Sequence, residues 1–342
     1  MNKKETEILF VTNLPSFYKI NLYNEINKKR RIFVVFTGDT AGNRNDDFFT
    51  GKREFDYIYL SEKSDFKRAF TLRKIINSTN YSELILGGWD SVSMWTAAFA
   101  SPVRKNALVV ESSYLESGST GIKGFIKKLF MKRISSVYAS GKSQRILAEN
   151  LGFKGRMVVT KGVGIFHIVS QPTFISREKV KNFVYVGRLS PEKNLNFLIE
   201  VFNQLPELTL NIIGFGPEED KLRSLSNKNI LFRGAVENTK LTSIYQENDV
   251  FILPSAVEPW GMVVEEALNN GLPVLVSDKV GCAEEIVIPG KNGLVFKSND
   301  QESLRKAVAT IGRLDYYNQL RMNISTMDFA ETAKTQVNCY LR

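Results

Sequence analysis

Short runs of β-branched and aromatic residues recur along the whole chain, each followed by a longer stretch with helical spacing. In the first half they read "EILFVT", "RIFVVF", "ELILGG", "ALVVE", "SVYAS" and "RMVVT". In the second half they read "FVYVG", "LTLNIIG", "NILFRG", "DVFILP", "PVLVS" and "GLVF". Antiparallel hairpins need only tight turns between strands, whereas strands separated by helix-length segments demand parallel pairing with crossover helices. The expected class is therefore α/β with doubly wound parallel sheets.

The two series are separated by residues 161–181, "KGVGIFHIVSQPTFISREKVK", which have no period and contain Gly162, Gly164 and Pro172. This segment marks a linker, and 342 residues suit two domains better than one. Residues 1–165 and 166–325 are assigned to two Rossmann-like domains facing a cleft, with ligands beyond the carboxyl ends of the strands. Residues 326–342 carry Phe329, Ala333, Val337 and Tyr340 at helical spacing and form a terminal amphipathic helix.

Composition excludes several chemistries. His167 is the only histidine, and Cys282 and Cys339 are the only cysteines, so zinc sites, disulfides and a Ser-His-Asp triad are not expected. No apolar run reaches the ~18 residues of a membrane span, and the N-terminus lacks a signal-peptide pattern, so a cytoplasmic location is expected. The net charge of +10 is uneven: residues 1–171 hold 27 of the 46 basic side chains but only 15 of the 36 acidic ones. A basic half suits a polyanion or an anionic membrane surface, or else is a set of solvated lysines.

Three strand-to-helix turns in the second half carry candidate chemistry. In "VGRLSPEKN", Arg188 and Lys193 flank a helix start after Gly187, where two cations and free amides could neutralise a diphosphate. Alternatively, Pro191 and Glu192 merely begin the helix and both cations are solvated. In "GFGPEED", Gly214 and Gly216 let backbone approach a ligand, or form a plain turn. In "EPWGMVVEEALNNG", Glu258 precedes a helix that Glu266 lies within, and amides near Gly261 and Met262 would suit an anion. Two carboxylates there fit hydroxyls of a phosphorylated ligand. The competing view makes Glu258 and Glu265 favourable charges at a helix N-terminus and Glu266 the partner of a surface cation.

Taken together over about 120 residues, these motifs resemble the family 4 retaining glycosyltransferases (glycosyl transferases group 1) of the two-domain GT-B fold. Glu258 and Glu266 match that family's E-x7-E signature, and Arg188 and Lys193 its donor-phosphate pair. The resemblance implies metal-independent transfer of a sugar from a nucleotide diphosphate-sugar to a saccharide acceptor, with retained anomeric configuration and no cofactor beyond the donor. It implies that Glu258 contacts the donor sugar and Glu266 the ribose hydroxyls, with Gly187, Gly214, Gly216, Trp260, Gly261 and Met262 around the donor. It also implies that the C-terminal helix crosses back to the first domain.

The first half matches in pattern only. "TNLPSFYKI" and "VVESSYLES" stand where many relatives have a glycine-rich loop and a histidine, and His167 in the linker is a poor substitute. Glu111 is the candidate acceptor-side catalytic carboxylate, or else a structural one bonded to amides. Pro15, Ser16 and Tyr18 are assigned to the acceptor wall, unless Ser16 simply starts a helix. In "GIKGFIKKLFMKRI" the apolar residues read as the core side of a helix. Lys127, Lys128, Lys132 and Arg133 are assigned to contact with anionic lipid at the inner face of the cell membrane, as suits a lipid-linked saccharide acceptor in surface polysaccharide synthesis. Two other readings remain: a GT-B nucleotide-sugar epimerase or hydrolase, and a basic nucleic-acid binder. No RNP, zinc-finger or helix-turn-helix signature supports the last, so nucleic acid is not an expected partner.

Overall fold

A computed structural model describes residues 4–38, 46–60 and 64–342. It divides into two compact units, one running to Phe166 and taking in Glu331–Arg342, the other His167–Ala330.

The first unit is built on a seven-stranded, all-parallel sheet. Its strands are β1 (Ile8–Thr12), β2 (Ile32–Phe36), β3 (Asp56–Tyr59), β4 (Glu83–Leu86), β5 (Asn106–Val110), β6 (Ser136–Ala139) and β7 (Arg156–Val159), in the order β3-β2-β1-β4-β5-β6-β7. Between them run α1 (Phe17–Asn27), α2 (Asp65–Ser78), α3 (Val92–Ala100), α4 (Gly121–Met131) and α5 (Lys142–Asn150). The two-residue side-chain period of a strand divides the core. Ile8 and Phe10 join Ile20, Tyr23 and Ile26 of α1 on one face, while Leu9 and Val11 join Leu72, Met94 and Phe130 on the other.

The strand runs of the sequence omit β3. All four of its residues, "DYIY", are exposed or only half-buried at the sheet's edge, so no burial imprinted an apolar run there. The reading of α4 also needs correction. Gly124, Phe130 and Met131 make its buried side, and Ile122, Phe125, Ile126 and Leu129 face outward. Periodicity shows that a helix has an apolar face but not which face the core takes.

The second unit holds a six-stranded parallel sheet of β8 (Asn182–Val186), β9 (Thr209–Ile213), β10 (Ile230–Gly234), β11 (Val250–Leu253), β12 (Val274–Ser277) and β13 (Gly293–Phe296), ordered β10-β9-β8-β11-β12-β13. This is the doubly wound order, with a switch point between β8 and β11. The helices of this unit are α6 (Leu195–Phe202), α7 (Glu219–Leu225), α8 (Leu241–Glu247), α9 (Met262–Asn269), α10 (Ala283–Ile286), α11 (Gln301–Ile311) and α12 (Leu314–Ile324). The helix read as starting at Pro191 starts later. Pro191–Lys193 forms a single 3-10 turn, and Asn194 in the left-handed region (φ 57°) separates it from α6.

The last helix, α13 (Phe329–Cys339), returns to the first unit. Val337 and Tyr340 enter the α1-side core, Tyr340 stacks on Tyr138 with ring centroids 4.6 Å apart, and Arg30 donates to the Tyr340 carbonyl at 2.8 Å. Ala333, Val337 and Tyr340 of the terminal stripe thus pack on the first unit's sheet, whereas Phe329 belongs to the second unit.

Candidate active site

Four loops at the carboxyl ends of β8, β9, β11 and β12 are bonded into one assembly within the second unit. Gly187 N–H donates to the Ile213 carbonyl, and Leu189 N–H to that of Phe215. A Cβ at Gly214 would stand 1.9 Å from the Gly187 carbonyl oxygen, so only glycine lets these two loops touch. Ala256 N–H donates to the Glu192 carbonyl at 2.9 Å, tying the β8 and β11 loops together. The segment Glu258–Gly261 is held from the other side, because Gly281 N–H donates to the Glu258 carbonyl and Cys282 N–H to that of Trp260. Gly261 itself lies at φ 95° and lets the chain turn sharply into α9.

This framework brings Arg188, Lys193 and Glu258 together. Lys193 Nζ is ion-paired with Glu258 Oε2, and the two side chains are only 13% and 12% exposed. Arg188 Nη2 reaches Glu192 Oε1 at 3.0 Å, and that oxygen also accepts from Ser190 Oγ at 2.6 Å. Burial opposes ionisation of Glu192, but the Ser190 hydroxyl and the charges of Arg188 and Lys193 outweigh it and hold its pKa below the usual carboxylate range. The result is a pair of cations, each matched by a carboxylate, above a buried tyrosine: Tyr185 Oη donates to the Arg188 carbonyl at 2.7 Å. Sequence reasoning missed Glu192 as a partner of Arg188, because the two lie in a loop and a 3-10 turn where the i,i+4 pairing of an α-helix does not apply.

Glu266 lies farther into α9 and accepts from Tyr245 Oη at 3.2 Å rather than from a surface cation. Burial raises its pKa to about 7, against the pull of the tyrosine bond. The Trp260 side chain is buried, and its indole N–H donates to Glu265 at 2.9 Å. Trp260 therefore supports the loop from beneath. Glu265 is buried too, and burial lifts it to about 7 despite the indole bond, with the neighbouring Glu266 adding to the rise. Neither tyrosine nor the burial of Glu265 left a signal in the sequence.

The sign of the Glu265 shift gives a prediction. Between its ordinary pKa of 4.5 and about 7 the folded chain keeps a proton that the unfolded chain has lost. Stability from this group is therefore fully present below pH 4.5, falls as pH rises through 7, and is level above that. Glu265→Gln can still accept the indole bond, so it should be more stable than the parent at pH 8, by up to about 3 kcal/mol, and equal to it at pH 4. Urea titrations at the two pH values measure both differences, and a parent more stable at pH 8 would contradict the assignment.

In the first unit, Glu111 at the end of β5 is paired with Lys19 of α1 at 3.0 Å. Lys19 is buried; burial opposes its charge, but the facing Glu111 outweighs that and pushes its pKa up. Among the described residues Glu111 is thus bonded to a cation rather than to amides, through a partner 92 positions away that sequence gave no reason to select. Pro15 and Ser16 are buried, and the Ser16 hydroxyl has no hydrogen-bond partner among the described residues; it precedes α1 without capping it. Tyr18 is half-buried with its ring edge-on to Phe48. His167 is exposed at the start of the second unit.

The four basic residues around α4 do not form one free set. Lys127 donates to Ser117 Oγ at 2.5 Å and the Gly118 carbonyl at 3.1 Å, and Arg133 donates to the carbonyls of Ala98 and Ser101. Lys128 and Lys132 are exposed.

The family model "Glycosyl transferases group 1" matches residues 171–326. The second unit is therefore a glycosyl transferases group 1 domain, as its motifs implied. Among curated relatives, sulfoquinovosyl transferase SQD2 of Arabidopsis thaliana is 35% identical over 133 residues, covering 37% of this chain and 26% of that protein. Other relatives are likewise matched over about a third of their length. The O-antigen biosynthesis glycosyltransferase WbnH of Escherichia coli is 27% identical over 293 residues, 82% of this chain and 81% of the relative. Anabaena HepE, solved with UDP-glucose, superimposes with a TM-score of 0.71 at 15% identity, covering 98% of this chain and 99% of HepE. That likeness spans both units and shows that the chain shares HepE's fold.

Proposed function

We propose that the chain is a retaining glycosyltransferase that moves a sugar from a nucleotide diphosphate-sugar to a saccharide acceptor, lipid-linked, in bacterial surface polysaccharide synthesis. The observation that carries this reading is the convergence of Arg188, Lys193 and Glu258 at the carboxyl ends of β8 and β11, the switch point of a group 1 domain. HepE was solved with UDP-glucose, and WbnH is named for O-antigen synthesis; both support the donor and acceptor classes.

The chemistry follows from charge. As the glycosidic bond to the diphosphate breaks, negative charge grows on the leaving phosphate, and in this reading Arg188 and Lys193 meet it. Both cations start out bonded to carboxylates, so the phosphate takes over or shares those contacts. Stabilisation that grows with leaving-group charge lowers the barrier more than it strengthens ground-state binding. Glu258, released in part by Lys193, accepts from hydroxyls of the donor sugar, and Glu266 from those of the ribose. With two cations serving the diphosphate, no metal is needed. Same-face attack lets the phosphate itself take the acceptor's proton, and Glu111 is the candidate for orienting that acceptor.

Turnover of a nucleotide diphosphate-sugar, with and without a lipid-linked saccharide acceptor and in excess EDTA, tests the reading. Acceptor-dependent product with the donor's anomeric configuration by NMR is expected, at a rate EDTA leaves unchanged. Donor consumption that ignores the acceptor would make the chain a hydrolase or epimerase, and an inverted product would overturn retention.

A further inference from the structure

Helix α4 has apolar residues on opposite sides. Gly124, Phe130 and Met131 are buried against the first unit, whereas Ile122, Phe125, Ile126 and Leu129 are 80%, 62%, 45% and 38% exposed. Their i, i+3, i+4, i+7 spacing makes a single outward stripe. At 3.6 residues per turn, Lys128 and Lys132 fall along one edge of that stripe and Lys123 along the other. All three lysines are exposed, and residues 121–134 contain no acidic side chain. Next to α4, Val92 and Phe99 of α3 are also exposed, with Trp95 of α3 edge-on to Phe130.

We propose that this face of α4 docks the protein on an anionic lipid bilayer, with Ile122, Phe125, Ile126 and Leu129 below the headgroups and Lys123, Lys128 and Lys132 on their phosphates. An apolar stripe edged by lysines is the pattern of a helix lying in a membrane interface. No helix of the described residues is long and apolar enough to cross a membrane, so this contact lies on the bilayer and does not span it. A second copy is a poor occupant, because like faces would set lysine against lysine with no carboxylate between. A protein partner needs ~800 Å² on each side for a stable interface, and the stripe is only roughly 11 Å long. A bilayer needs no matching relief. The contact differs from the purely electrostatic one expected from sequence, since Lys127 and Arg133 are engaged within the fold and the apolar side chains supply the depth. It rests on the exposure of α4 alone and stands or falls apart from the transferase reading.

Sedimentation of the full chain with phosphatidylglycerol-phosphatidylcholine vesicles tests it. Binding should weaken with salt, because lysine attraction is screened. The quadruple substitution Ile122→Gln, Phe125→Gln, Ile126→Gln, Leu129→Gln should reduce partitioning at least ~100-fold while leaving thermal stability unchanged, because the side chains are solvent-facing. The triple substitution Lys123→Gln, Lys128→Gln, Lys132→Gln should lose ~5-fold per lysine. As a check that needs no multiple variant, Phe125→Trp alone should gain fluorescence quenched by brominated lipid. Parent protein that fails to bind the vesicles, a quadruple variant that binds like the parent, or a tryptophan at 125 that brominated lipid does not quench would overturn the proposal. So would a quadruple variant that loses self-association or capture of a protein and keeps its lipid binding.

Discussion

Lys193→Ala is expected to lower turnover of the donor about 10- to 150-fold while the protein stays folded, and Arg188→Ala to do the same. A hydrogen bond to a charged group is worth ~1.5–3 kcal/mol, and each cation is asked to hold phosphate charge that grows toward the transition state. The two variants should differ in one respect. Lys193 is almost enclosed with Glu258, so its removal strands a carboxylate, whereas Arg188 and Glu192 are both about a third exposed and solvent can replace the lost contact. Lys193→Ala should therefore also lower stability, and adding Glu258→Gln should restore part of it. Steady-state kinetics with chemical denaturation separates the two effects. Normal turnover in either alanine variant would remove that residue from the site.

Glu258→Gln is the second large effect. The amide keeps the size and backbone bonds of the original, including the Glu258 carbonyl that accepts from Gly281, so the loop should hold its place. What changes is the charge offered to sugar hydroxyls and to Lys193. We expect kcat/KM for the donor sugar to fall about 10- to 100-fold, as for loss of a charged hydrogen bond, while affinity for the nucleoside diphosphate alone stays the same or rises because Lys193 is freed. An equal loss of affinity for nucleotide with and without the sugar would place Glu258 at the phosphates and contradict the sugar-facing role.

Much of this arrangement was legible because burial imprints sequence. Strands buried on both faces, such as "FVYVG" and "DVFILP", stand out as apolar runs, and the glycines that let loops touch at Gly187 and Gly214 mark the turns. The same logic explains what was missed. β3 lies at an edge and carries no such run. The Lys19–Glu111 pair joins residues far apart in the chain, and no local pattern predicts a long-range ion pair. Asn194 delays α6 by entering a left-handed conformation that Asn tolerates, a choice invisible beside the helix-starting look of Pro191 and Glu192. The outward face of α4 misled because amphipathic spacing is the same whether the apolar stripe meets a core or something outside the protein.

The proposed transfer depends on Arg188 and Lys193 receiving a nucleotide diphosphate-sugar, and a thermal-shift panel of UDP-, GDP- and ADP-sugars measures that directly. A donor at 100 times its dissociation constant should stabilise the protein by about 2.7 kcal/mol. One nucleotide series should raise the melting temperature of the parent, and the same ligands should lose most of that shift in the Arg188→Ala, Lys193→Ala double variant. No shift with any nucleotide diphosphate-sugar, or an equal shift in the double variant, would contradict the account.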